Sequence, residues 1–127
     1  MIVLDASAVL SALFNEGPAR QVLATEQLHA PHLIDSEVAN GLRRRVAAHQ
    51  LSADAGLTAL RTLQRLGMTR YPVFSFLDRV WDLRDNLSAY DASYVALAEL
   101  LDCNLLTADA RLGRAPGIHC PITVVPR

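Results

Sequence analysis

The chain has 127 residues, 51% of them hydrophobic, and a formal net charge of −1. That length suits one domain spanning residues 1–127, and the apolar content excludes intrinsic disorder. The charge excludes a uniformly basic nucleic-acid coat, although a local Arg patch can still steer phosphate. No Lys occurs, so all 12 basic residues are Arg and any mechanism that needs a lysine is excluded.

In chain order, Ile2–Leu4 is a short β-type run that ends at Asp5. Ala6 to Asn15 reads as a helix broken by Gly17-Pro18, and Pro18 opens a second helix to about Thr25. Leu28–Ala30 is a second strand closed by Pro31, and Asp35 is the expected N-cap of a helix running to about Gln50. Ser52 or Asp54 starts the next helix, with Leu57, Leu60 and Leu63 as a stripe that serves either as core or as a partner surface. Arg70–Phe74 reads as a third strand and residues 76–85 as helical. Ser88 with Asp91 three positions on resembles a capping box for a helix from Tyr90 to Leu101. Asn104–Leu106 is a fourth strand, a short helix follows from about Asp109, and Ile122–Val125 is the last strand.

Strands alternating with helices predict an α/β protein with a mostly parallel sheet. Cys103 and Cys120 form no CxxC pair and read as free thiols of a reducing compartment. No apolar run reaches the ~20 residues of a membrane span and MIVLDAS does not resemble a signal peptide. A cytoplasmic location is therefore expected.

Ligands of open parallel sheets bind beyond the C-terminal ends of the strands. Asp5 and Asp109 follow the first and fourth strands, and Glu37 and Asp91 fall in first turns of helices. Any one of them could be an ordinary helix-start acid, and Asp35, Asp54 and Asp78 read as caps or solvated acids. The joint placement of the four is harder to explain that way. Two carboxylates ~4 Å apart repel by about 4 kcal/mol at an effective dielectric of 20, so a converging cluster needs a counter-charge. Without Lys, and with no His at ligand spacing, an oxygen-only set suits a hard cation, Mg²⁺ or Mn²⁺. Such sites hydrolyse phosphodiesters.

Four segments then carry a resemblance: IVLDASAVLSAL (2–13), APHLIDSEVANGLRR (30–44), YDASYVALAE (90–99) and NLLTADARL (104–112). In that order they resemble the PIN-domain ribonucleases, and within them the VapC toxins of toxin–antitoxin pairs. The resemblance implies a three-layer α/β/α sandwich with a short parallel sheet. It implies that Asp5, Glu37, Asp91 and Asp109 bind Mg²⁺ or Mn²⁺ for endonucleolytic cleavage of RNA. Ser7, Asn40 and Thr107 match polar positions that support such a site. It further implies a homodimer and a VapB-like antitoxin that blocks the site.

Other features are less specific. Arg43, Arg44 and Arg45 follow Glu37 on one helix and read either as RNA-backbone contacts or as a solvated face. Arg20, Arg79 and Arg84 are weaker candidates. His29 and His32 lack the partners of a zinc site, and His49 and His119 are isolated. Tyr90, Tyr94 and Trp81 could stack on bases, but core packing is the favoured reading. Two rival functions stand beside the nuclease. One is an Asp-based phosphoryl-transfer domain, disfavoured by the missing Lys. The other is a non-catalytic RNA- or protein-binding module, disfavoured by the intact acidic quartet.

Overall fold

Five parallel strands carry the fold in the computed structural model, which describes residues 1–127. They are β1 (Ile2–Leu4), β2 (Leu28–Pro31), β3 (Met68–Tyr71), β4 (Asn104–Thr107) and β5 (Ile122–Val124), in the spatial order β3-β2-β1-β4-β5. The helices are α1 (Ala6–Phe14), α2 (Pro18–Thr25), α3 (Leu33–Ala47), α4 (Ala53–Arg65), α5 (Leu77–Asp82) and α6 (Ala89–Leu100). Connections through α1 to α4 run outward from β1 to β3, and the chain returns through α5 and α6 to β4 on the other side of β1. Right-handed crossovers therefore put α1–α4 on one face and α5–α6 on the other. The packing agrees: α1 meets α2 and α3, α3 meets α4, and α6 meets α5 and the central strands. The predicted α/β/α sandwich is the observed one.

The strand order reverses between β1 and β4, which pair from Ile2 with Asn104 to Leu4 with Leu106. Side chains around this pair are dry: Val3, Leu4, Leu105 and Leu106 are all buried. Burying a Leu or Val side chain fully contributes about 1.5–3 kcal/mol, so the pair is a firm floor for whatever follows it. On α3, Ile34, Val38 and Leu42 recur every four residues and are buried, which seats that helix on the sheet. Where α3 passes α1, Gly41 lets the two helices approach closely: a Cβ there would lie 2.6 Å from Leu10 Cδ1, and that side chain would have to move. Helix α6 is buried on every side from Ala92 to Ala98.

Several boundaries differ from the sequence reading for identifiable reasons. Asp35 is not an N-cap; α3 starts earlier, at Leu33, and Asp35 instead accepts Arg70 Nε at 2.6 Å and Nη2 at 2.8 Å. The same helix ends at Ala47, before His49 turns to a φ of 59°. Strand β3 is displaced to Met68–Tyr71 because Pro72 has no N–H to continue the ladder, and a 3-10 turn over Val73–Phe76 follows. The helix expected over 76–85 is only Leu77–Asp82, and the one expected from Asp109 is a 3-10 turn at Leu112–Arg114. The stripe on α4 splits: Leu63 is buried, Leu60 half-buried and Leu57 exposed. Six residues turn a helix by about 600°, which leaves Leu57 and Leu63 about 120° apart. Both cysteines are free and half-buried, and burial pushes the Cys120 thiol up to about 11. No helix is long and apolar enough to cross a membrane.

Candidate active site

Asp5 is the residue at which β1 stops. Its N–H still bonds Leu106 O across the sheet, and its carboxylate caps α1 by accepting Ala8 N at 3.0 Å. Two hydroxyls complete its surroundings. Ser7 Oγ donates to Oδ1 at 2.6 Å and Thr107 Oγ1 donates to Oδ2 at 2.5 Å. Each hydroxyl has one proton, so both are spent on Asp5. Their lone pairs then receive the turn after β4: Ser7 Oγ accepts Ala108 N at 2.8 Å, and Thr107 Oγ1 accepts Asp109 N at 3.0 Å. Ser7 and Thr107 thus bind the end of β1 to the end of β4 and fix the Asp5 carboxylate and the Asp109 backbone on one edge of the sheet.

Glu37 projects from the second turn of α3, one position before the buried Val38. Its Oε1 accepts Tyr94 Oη at 2.5 Å. Tyr94 is 1% exposed, so that hydroxyl is fixed by packing. Asp91 enters from the start of α6, where Ser88 Oγ accepts its N–H at 3.1 Å. Only the serine half of the expected capping box forms, and the Asp91 side chain lines the cleft with the other acids.

The four carboxylates share one cleft of about 510 Å³. Ser7, Asn40, Arg44, Arg45 and Arg127 also line it, while Thr107 lies fully buried beneath. Burial raises the carboxyl of Asp5 most, against its three hydrogen bonds, and Asp91 adds repulsion. Glu37 is raised by burial and then by Asp91 and Asp5, with Tyr94 and Arg44 opposing. Asp91 is raised by burial and by Asp109. Asp109 is lowered, because Arg111 donates to both of its oxygens. The acids therefore feel one another as a cluster. No three of them close on a single point as a finished metal cage. The donor set is oxygen only, with hydroxyls behind it, and three of its members lack a sufficient counter-charge. That chemistry fits a hard divalent cation.

The remaining candidates sort by contact. Arg44 and Arg45 reach the cleft, Arg45 with its guanidinium 5.4 Å from the centre of the Phe14 ring. Arg43 is exposed and donates to Asn40 Oδ1 at 3.0 Å. Arg79 is paired with Glu99 at 2.6 Å, Arg84 stacks on Trp81 and Arg20 binds carbonyls of α1. His29 Nδ1 lies 2.7 Å from Tyr71 Oη, and burial lowers its pKa. Sequence reasoning favoured the core for Tyr90, Tyr94 and Trp81, but Tyr90 and Trp81 are exposed; only Tyr94 is buried, and its hydroxyl contact to Glu37 was missed. Its position three residues after Asp91, on nearly the same helix face, was the available signal. It also missed Arg111, whose N–H closes a local turn on Asp109 Oδ1.

An α/β/α sandwich with four acids at its switch point defines a class of fold, and the PIN domain family matches residues 2–118. Ribonuclease VapC9 of Mycobacterium tuberculosis is 60% identical over 127 residues, covering 100% of both chains. Ribonuclease VapC1 of the same organism is 43% identical over 128 residues, covering 97% of this chain and 96% of its own. A toxin–antitoxin complex from Klebsiella pneumoniae contains a chain of the same fold, with a TM-score of 0.72, 20% identity and full coverage of both. The chain belongs to the PIN-domain family, within its VapC ribonuclease branch.

Proposed function

We propose that this protein is a Mg²⁺- or Mn²⁺-dependent endoribonuclease and the toxin of a toxin–antitoxin pair. The observation that carries the reading is the shared cleft of Asp5, Glu37, Asp91 and Asp109 at the β1–β4 switch point. Asp5 and Asp91 are the leading cation ligands, with Glu37 and Asp109 completing the set. A divalent cation held there supplies Lewis-acid stabilisation of the phosphate and activation of water.

The chain's own groups do the rest. Asp5 is immobilised by Ser7, Thr107 and Ala8 N, so its oxygens are pre-aimed. Arg44 and Arg45 at the cleft wall attract the RNA backbone. Water attacks phosphorus in line with the leaving oxygen. Glu37, oriented by Tyr94 and made more basic by its surroundings, accepts the proton of that water. The phosphorus–oxygen bond breaks and the leaving oxygen takes a proton from solvent.

An antitoxin partner is supported by the relatives and by an apolar groove of about 550 Å³ between α1, α2 and α4. Phe14 lines both the groove and the cleft, so a segment seated in one can reach the other. A homodimer belongs to the same reading, and Phe74, Leu77 and Trp81 leave apolar surface exposed for contacts.

The test is cleavage of total cellular RNA by the purified, antitoxin-free protein with Mn²⁺, with Mg²⁺ and with EDTA, beside Asp5→Asn. Discrete products that need the cation and vanish in the variant are expected. Equal RNA binding with and without cation, and no cutting, would instead assign a non-catalytic binding module.

A further inference from the structure

Asp109 differs from the other three acids, and the difference lies in one residue. Arg111 N donates to Oδ1 at 3.0 Å, its Nε to Oδ1 at 3.2 Å and its Nη2 to Oδ2 at 3.0 Å. A carboxylate has about four lone-pair sites, so Arg111 takes three of them. The Asp109 side chain is 19% exposed and faces the cleft, whereas that of Arg111 is 83% exposed. The guanidinium has no other hydrogen-bond partner, and it also lies within reach of the charge on Asp91. The backbone contacts are different in kind. Thr107 Oγ1 fixes Asp109 N, and Arg111 N fixes Oδ1, so the carboxylate stays aimed if the guanidinium leaves.

We propose that Arg111 is a resident stand-in for the metal. Its guanidinium neutralises Asp109 at the mouth of the cleft and is displaced when a divalent cation takes that carboxylate. The energetics allow the exchange, because an ion pair so open to solvent is weak. A cation in the cleft meets Asp5, Glu37 and Asp91 as well. Arg111 is thus a positioning residue that sets how readily the fourth ligand is released. This inference rests on the cation site proposed above.

The experiment is calorimetric titration of Mn²⁺ into metal-free protein without RNA. It uses wild type, Arg111→Ala, Asp109→Asn, the double variant, and Asp5→Asn as the control for the site itself. Arg111→Ala is expected to tighten Mn²⁺ binding about two- to fivefold, the scale of one lost exposed ion pair. In the Asp109→Asn background the same substitution should have a much smaller effect, that of the longer-range charge on Asp91 alone. Unchanged or weaker binding by Arg111→Ala would overturn the proposal. So would a tightening that persists undiminished without Asp109, which would mean a general charge effect. If Asp5→Asn binds Mn²⁺ as wild type does, the fault lies in the cation site rather than in Arg111.

Discussion

Tyr94→Phe isolates one proton-donating group in the site without opening a cavity. Tyr94 is 1% exposed and its ring packs in the core, so Phe keeps the shape and removes only the hydroxyl that donates to Glu37 Oε1 at 2.5 Å. A hydrogen bond to a charged group is worth about 1.5–3 kcal/mol. Glu37 keeps solvent access and can recruit water in its place, so the expected loss at pH 7 is smaller, about 1 kcal/mol. For a domain of this size that lowers Tm by about 3–5 °C. The hydroxyl also holds the Glu37 carboxyl down against burial and repulsion from Asp91 and Asp5. Without it Glu37 takes up a proton at higher pH, so the acidic limb of kcat/KM against pH moves upward. The stability loss should shrink in acid, where Glu37 is protonated in both proteins. Losing such an outer contact to a metal-site ligand typically costs about ten- to a hundredfold in metal affinity or activity. Thermal melts from pH 4 to 8 and a cleavage profile over the same range test all of this. An acidic limb that stays in place, with an unchanged Tm, would refute the role given to Tyr94.

Other consequences follow from the same cluster. Mn²⁺ at a hundred times its dissociation constant should stabilise the fold by about 2.7 kcal/mol, roughly 8–13 °C in Tm by calorimetry, and no shift would contradict a converging site. Asp5→Asn should abolish cleavage and this Mn²⁺ shift yet melt within a few degrees of wild type, because losing the Thr107 contact is offset by removing a buried charge. Asp91→Asn, without cation, should be the more stable protein at pH 7. The raised carboxyl of Asp91 makes the native state bind the proton more tightly than the unfolded chain. The advantage should therefore narrow as pH falls through the raised pKa, and melts of both proteins from pH 7 to about 4.5 check it. Measuring the difference between two proteins cancels His29, whose lowered pKa acts in the opposite direction.

Local signals carried much of the fold. Ile2–Leu4 and Pro18–Thr25 have the predicted ends because an acid, a Gly-Pro pair and an N1 proline act on their own neighbours. The parallel sheet followed from strand–helix alternation, and that alone placed Asp5 and Asp109 at one edge. What escaped depends on distant partners. Asp35 looks like a cap until Arg70, 35 residues on, arrives beside it. Tyr94 looks like filler until Glu37, 57 residues earlier, meets its hydroxyl. Helix periodicity gives the direction of such side chains, but only the assembled layers reveal what lies opposite.

The clasp formed by Ser7 and Thr107 also has a consequence for timing. Asp5 is among the first residues made, but its carboxylate is completed by a hydroxyl 102 positions later. At a synthesis rate of about 5–20 residues per second, the interval is roughly 5–20 s. For that time the growing chain carries most of its acids but no assembled centre. A chain that stops before β4 lacks both Thr107 and Asp109, so the acidic set of the cleft is never completed in it.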